Sequence, residues 1–203
     1  MLRFSLTYKV FISIMPDSYY NSHVGLEGVE MKKILILSDT HGDIETTKQI
    51  MRMHQDVDMR IHLGDVGFAF DELDNCYVVK GNHDHMAELP NERIFQIEDR
   101  KLLCVHGNLY DDEIVHEVLA MKHLPSDKAM KRCMQLLYTK LKNHAKEMHC
   151  DIVLFGHTHQ QFCEESDDVL LINPGSICFG ILCNGYALVY IHRDEVKVKL
   201  LQC

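Results

Sequence analysis

Ile34, Leu35, Ile36 and Leu37 form an unbroken apolar run between Met31-Lys32-Lys33 and Ser38-Asp39-Thr40-His41-Gly42. A strand that is apolar at every position has both faces to bury, so it needs a packed layer above and below it. Similar short runs recur at 60–63, 76–79, 102–105, 152–155 and 169–172. Helical patterns separate some of them. One helix is expected from Gly42 to about His54. Another opens at Ser126 after Pro125, with Met130, Cys133, Leu137, Leu141, Ala145 and Met148 on one stripe that reads as core packing. Near the C-terminus, Ala187, Val189 and Ile191 alternate against Val196, Val198 and Leu200 about a turn at His192 to Glu195, which predicts paired strands. The rhythm is that of an α/β fold.

The chain has 203 residues, 46 % of them hydrophobic, enough for one well-buried domain. Residues 1–30 read as a non-core extension, because 17–30 is polar and without periodicity, and residues 31–203 read as the single domain. The stretch 2–15 is interrupted by Tyr8, Lys9 and Ser13 and lacks a cleavage pattern, which argues against a signal peptide, and it is too short to span a membrane. Eight scattered cysteines without a CxxC pair suggest buried, reduced thiols and a cytoplasmic protein. A net charge of -9 disfavours bulk binding to nucleic acid or an anionic membrane.

Five runs end in polar clusters: Ser38-Asp39-Thr40-His41-Gly42, Gly64-Asp65, Gly81-Asn82-His83-Asp84, His106-Gly107 and Gly156-His157-Thr158-His159. Ligand sites in open α/β sheets gather at the carboxyl ends of strands, so clusters distant in sequence can converge. Asp39 and His41 are two apart, as are His157 and His159, so each pair can project from one side of an extended segment. Carboxylate, amide oxygen and imidazole together suit manganese, iron, zinc or nickel better than calcium or magnesium, and the absence of thiolates argues against a structural zinc finger. Two divalent ions held by two carboxylates leave a site of about +2, whose natural guest is an anionic phosphoryl group.

In this order the motifs SDTHG, GD, GNHD, HG and GHTH resemble the calcineurin-like metallophosphoesterases, and the chain from Met31 is similar to their small, YfcE-like phosphodiesterase branch. The resemblance implies a four-layer αββα sandwich with two mixed β-sheets. It also implies a dinuclear phosphodiesterase in which a metal-activated hydroxide cleaves a small phosphate ester. Two divalent ions are implied, manganese first, with nickel, zinc or iron as alternatives. Asp39, His41 and His159 would hold one ion, Asn82, His106 and His157 the other, and Asp65 would bridge them. His83, paired with Asp84, would be the acid or transition-state donor. Many members of the branch carry Cys at the position of His83, and His is frequent where Asn108 stands. Asn173-Pro174-Gly175-Ser176 resembles a family segment and reads as a structural turn beside the site.

His62 reads as a core or supporting histidine and His85 as surface or pocket rim. His54, His116, His123, His144, His149 and His192 are expected to face solvent, and Glu164, Glu165, Asp167 and Asp168 to form a solvated turn. The competing functions are a non-catalytic protein-interaction scaffold on the same fold, as in a retromer subunit, a phosphomonoesterase, and a nuclease. The last would need a cap or basic groove that this acidic chain does not show. Exposed strands at the end of a sandwich could support a homo-oligomer.

Overall fold

The computed structural model describes residues 9–10, 31–86, 88–121 and 125–203. In chain order its elements are β1 (Lys9–Val10), β2 (Lys32–Leu37), α1 (Ile44–Met53), β3 (Met59–His62), β4 (Cys76–Val78), β5 (Glu92–Ile97), β6 (Arg100–Val105), α2 (Asp111–Ala120), α3 (Ser126–Glu147), β7 (Ile152–Leu154), β8 (Phe162–Ser166), β9 (Val169–Asn173), β10 (Gly185–His192) and β11 (Glu195–Gln202). One sheet has the order β1-β11-β10-β2-β3-β4, the other β5-β6-β7-β9-β8. Both are mixed: β2, β3 and β4 run parallel, as do β6, β7 and β9, while β10 and β5 are antiparallel to their neighbours.

The period of two along each strand divides the apolar side chains among three layers of packing. Ile34 and Ile36 of β2 meet Leu102, Cys104, Ile152, Leu154, Leu170 and Ile172 of the second sheet in the central core. Leu35 and Leu37 point the other way, onto Ile50 and Met51 of α1. Leu103, Val105, Val153 and Phe155 likewise face Leu137, Leu141 and Ala145 of α3. Helix, sheet, sheet and helix are therefore stacked as αββα, the fold that the sequence motifs imply. The C-terminal pair is in the expected register, with Val189 opposite Val198 and Ile191 opposite Val196.

Asp43 caps α1, its Oδ1 accepting the Thr46 amide at 3.1 Å, so the helix ends near the expected residues. Several expectations need correction. Met130 is 66 % exposed, because α3, at 22 residues, outruns strands of three to six residues and its first turns overhang the sheet. Glu164 and Glu165 lie on the edge strand β8, and only Asp167 and Asp168 make the turn. His54 is buried, its ring nitrogen 3.0 Å from the Tyr186 hydroxyl, and His144 packs against Tyr110 and Glu92. His123 lies outside the described residues.

Of residues 1–30 only the two-residue strand β1 is described, pairing in parallel with Lys197 and Val198 at the edge of the first sheet. The expectations that the rest is non-core and carries no signal or span fall outside the described residues. We propose that the domain beginning at Met31 folds without the extension, since β2 onward supplies all three clusters of core residues. A protein starting at Met31 is expected to keep its urea-unfolding midpoint and its metal content. A loss of several kcal/mol in stability would show that β1 is an integral strand.

Candidate metal centre

All five polar clusters meet where β2, β3, β4, β6 and β7 end. The loops after β2 and β3 are stitched together: the Asp39, His41 and Gly42 amides donate to the Gly64, Asp65 and Val66 carbonyls at 3.0, 3.0 and 2.9 Å. The Gly156 amide likewise donates to His106 carbonyl at 2.9 Å. Asp39, His41, Asp65, His157 and His159 all have positive φ, between 42° and 65°. This left-handed backbone costs on the order of 1–2 kcal/mol for an L-residue and is tolerated best by Asp, Asn and His. It turns each side chain away from the alternation of the strand and across the sheet ends. Gly81 permits the closest approach, because a Cβ there would lie 2.1 Å from Asp65 Oδ1.

Asp39, Asp65 and His106 form a buried floor, and His41, His157 and His159 a half-buried rim. Asp39 Oδ2 accepts from the Ser38 hydroxyl at 2.5 Å and from the His157 amide at 3.1 Å. Oδ1 of the same carboxylate is buried and accepts no hydrogen bond. Around it stand the Nε2 atoms of His159, His41 and His106 at 3.2, 3.9 and 3.9 Å. Asp65 Oδ2 lies 3.4 Å from His106 Nε2 and 3.8 Å from His41 Nε2, and thus faces both sides of the site. Asn82 Oδ1 is 3.0 Å from His106 Nε2 and 3.1 Å from His157 Nδ1.

The remaining ring nitrogens reveal why these atoms face inward. His106 Nδ1 is 2.7 Å from the Leu63 carbonyl, His159 Nδ1 3.2 Å from the Phe179 carbonyl, and His157 Nε2 3.1 Å from Asp111 Oδ1. Each of these three imidazoles therefore donates its N–H outward and turns a lone pair into the site. Carboxylate, amide and imidazole lone pairs that converge in a buried space repel one another unless protons or cations lie among them. Among the described residues two sets of donors, Asp39, His41 and His159, and Asp39, Asp65 and His106, each bring their ligand atoms within 4.8 Å of one another. The donor set and the orphaned oxygen fit divalent cations.

Burial pushes the Asp65 carboxyl up, but the neighbouring His106 and the His83 amide outweigh it and hold the group at about 2. Burial likewise opposes ionisation of Asp39, yet the His159 contact and the His106 charge keep it below its ordinary value. Burial lowers His106, but the Asp65 and Asp39 carboxylates outweigh it and raise the imidazole, and Asp39 likewise raises His159.

One residue does otherwise than expected. Asp84 does not hold the His83 imidazole. Its carboxylate accepts the Asp65, Val66 and Gly81 amides at 2.8, 3.0 and 2.9 Å, clamping the two loops together. His83 stands exposed at the mouth, its amide donating to Asp65 Oδ1 at 2.8 Å and its ring edge-on to His41. Sequence reasoning missed Asp111, the partner of His157. The only signal was an acid opening a helical segment shortly after His106-Gly107. As expected, the segment 173–176 is structural: Asn173 Nδ2 donates to the Gly156 carbonyl at 2.7 Å and Ser176 Oγ to the Asp39 carbonyl at 2.7 Å. His85 does lie on a rim, that of a cleft of about 460 Å³ shared with Lys80, Asn82, Asn91 and Asn108.

Residues 31–194 match the family described as the calcineurin-like phosphoesterase superfamily domain. A probable metallophosphoesterase of Bacillus subtilis is 29 % identical over 82 % of this chain and 88 % of its own. A phosphodiesterase of Methanocaldococcus jannaschii is 30 % identical over 72 % of this chain and 84 % of its own. The crystal structure of a predicted phosphoesterase from Streptococcus pneumoniae superposes with a TM-score of 0.63 at 26 % identity, covering 81 % of this chain and 85 % of that one.

His62 is buried beneath the site, 3.1 Å from the Thr40 hydroxyl and accepting the Gly64 amide at 3.2 Å. Burial lowers its pKa from 6.5 to about 4. Below 6.5 the unfolded chain takes up a proton that the folded chain refuses, so this contribution to stability is complete above 6.5 and lost as pH falls towards 4. The slope reaches at most about 1.4 kcal/mol per pH unit. Urea midpoints of metal-free wild type and His62→Gln should converge as pH is lowered across that window; parallel curves would contradict the assignment. We propose that Asp65 is shared between two ions, so that Asp65→Asn should bring metal analysis below two ions per chain and weaken both, whereas His41→Ala should weaken mainly one. Two tightly held ions in Asp65→Asn would exclude a bridge.

Proposed function

The chain belongs to the calcineurin-like phosphoesterase superfamily, and from that membership and the convergent lone pairs at its strand ends we propose that it is a dinuclear, metal-dependent phosphodiesterase. The observation that carries this reading is the buried Asp39 Oδ1, which accepts no hydrogen bond and has three imidazole nitrogens around it. In it Asp39, His41 and His159 would hold one ion, Asn82, His106 and His157 the other, and Asp65 would serve both. Manganese is the first expectation, then nickel, zinc or iron. Bound there, a pair of ions lowers the pKa of water and neutralises charge on phosphoryl oxygens.

The chain's own residues supply the rest. The outward N–H bonds to Leu63, Asp111 and Phe179 keep three imidazoles in the ligating tautomer. Asp84 holds the loops that carry Asp65 and Asn82 in register. His83, exposed and fixed through its amide, donates a proton to the leaving oxygen as negative charge gathers there. Preference for diesters is supported by the M. jannaschii relative described as a phosphodiesterase.

Metal-stripped protein refilled with Mn²⁺, Ni²⁺, Zn²⁺ or Mg²⁺ is expected to hydrolyse bis-p-nitrophenyl phosphate faster than p-nitrophenyl phosphate. Monoester preference would move the protein to the phosphomonoesterases, and full metal loading without turnover of either would favour a scaffold. His83→Ala should keep both ions and lose roughly 10²–10⁴ in turnover on alkyl diesters, with a smaller loss on p-nitrophenyl esters, whose leaving oxygen needs little protonation. Equal losses on both would make His83 a positioning group.

A further inference from the structure

The loop between Ser176 and β10 carries Phe179, Ile181 and Leu182, which are 59, 63 and 87 % exposed. Its backbone is nevertheless tightly held. The Phe179 amide donates to Ser176 Oγ at 2.8 Å, the Gly180 amide to Asn184 Oδ1 at 3.0 Å, and the Ile181 amide to the His159 carbonyl at 3.1 Å. Gly180 has no room for a side chain, since a Cβ would lie 1.9 Å from the Cys183 carbonyl oxygen. A loop with its polar backbone satisfied and its apolar side chains turned outward is preorganised to display them, and an exposed apolar group of this kind marks a contact surface.

Its position identifies the contact. The Phe179 ring stands 5.4 Å from the His41 ring, edge-on, and 6.5 Å from the His159 ring at an interplanar angle of 16°. Its own carbonyl receives the His159 Nδ1 hydrogen bond. The aromatic face therefore continues directly from the Asp39–His41–His159 side of the centre. The Asn82 side opens instead on the polar cleft of Lys80, His85, Asn91 and Asn108. An ester bound across the centre meets an apolar wall at one end and hydrogen-bonding groups at the other.

We propose that the loop 178–183 is a substrate-binding wall, with Phe179 as its principal contact, and that it receives one organic group of the phosphate ester, which is flat and apolar. The other group, polar or hydroxylated, lies towards the Asn108 cleft. This rests on the phosphoesterase reading and adds to it a substrate class: diesters with one planar apolar and one polar substituent. Aromatic rings prefer offset or edge-on packing against another ring, which gives Phe179 a geometric preference as well as an apolar one.

The test uses two inert anions that share a headgroup, phenylphosphonate and methylphosphonate, titrated calorimetrically into the metal-loaded full chain. Wild type is expected to bind phenylphosphonate about tenfold more tightly, a contrast in the range of an aromatic contact with its burial. Phe179→Ala should abolish the contrast, the phenylphosphonate affinity falling to that of methylphosphonate, with metal content measured alongside. Phe179→Tyr should restore it. Equal binding of both anions by wild type would overturn the wall and leave the phosphoesterase reading intact; binding of neither would strike that reading itself. Self-association of wild type in sedimentation, lost in Phe179→Ala with no phenyl preference in either protein, would assign the loop to a second copy of the chain and also overturn the proposal.

Discussion

The hydrogen bond from the His157 amide to Asp39 Oδ2 crosses from the second sheet to the first, and the rest of the centre depends on it. Together with the Ser38 hydroxyl it saturates one oxygen of a fully buried carboxylate and leaves the other to face the imidazoles. Ionised carboxylates are costly to bury unless paired or bound to metal. Packing of the two sheets and construction of the centre are thus one physical problem. Any shift of one sheet against the other would lengthen the 3.1 Å contact and separate the donors of the two sheets. The Ser176 hydroxyl, on the loop after β9, fixes the Asp39 carbonyl from a further direction.

The fold was legible in the sequence wherever a strand is buried on both faces, because such a run has no other economical reading. Ile34 to Leu37 divide between the central core and α1 as an all-apolar strand must. The strand-end clusters were legible for a related reason: parallel strands deliver their carboxyl ends to one edge. Elements with weaker patterns were not read. β5, with the sequence ERIFQI, is half-buried and carries three polar residues, and α2 opens on three acids and buries only Ile114.

Convergence of the candidate donors was legible, and that of their supports was not. Asp111 meets His157 across 46 residues, and the Leu63 and Phe179 contacts are to backbone, which leaves no residue type to notice. Asp84 shows the converse error. Adjacency to His83 suggested a pair, but consecutive side chains in a tight loop diverge, and three amides lay nearer to its oxygens. His54 was assigned to solvent from its place at a helix end, whereas Tyr186 of the neighbouring strand covers it.

The left-handed backbone at Asp39, His41, Asp65, His157 and His159 also sets which sequences are reachable from this one by drift. If catalysis ceased to be selected, the metal chemistry would no longer constrain these positions, but the torsion angles still would. Aspartate and histidine could pass to asparagine or glycine at little conformational cost, while valine, isoleucine or threonine would strain the very loops that lock the sheets together. A lineage that kept this fold as a scaffold would then carry a fossil of the lost centre, written in asparagines and glycines at the strand ends.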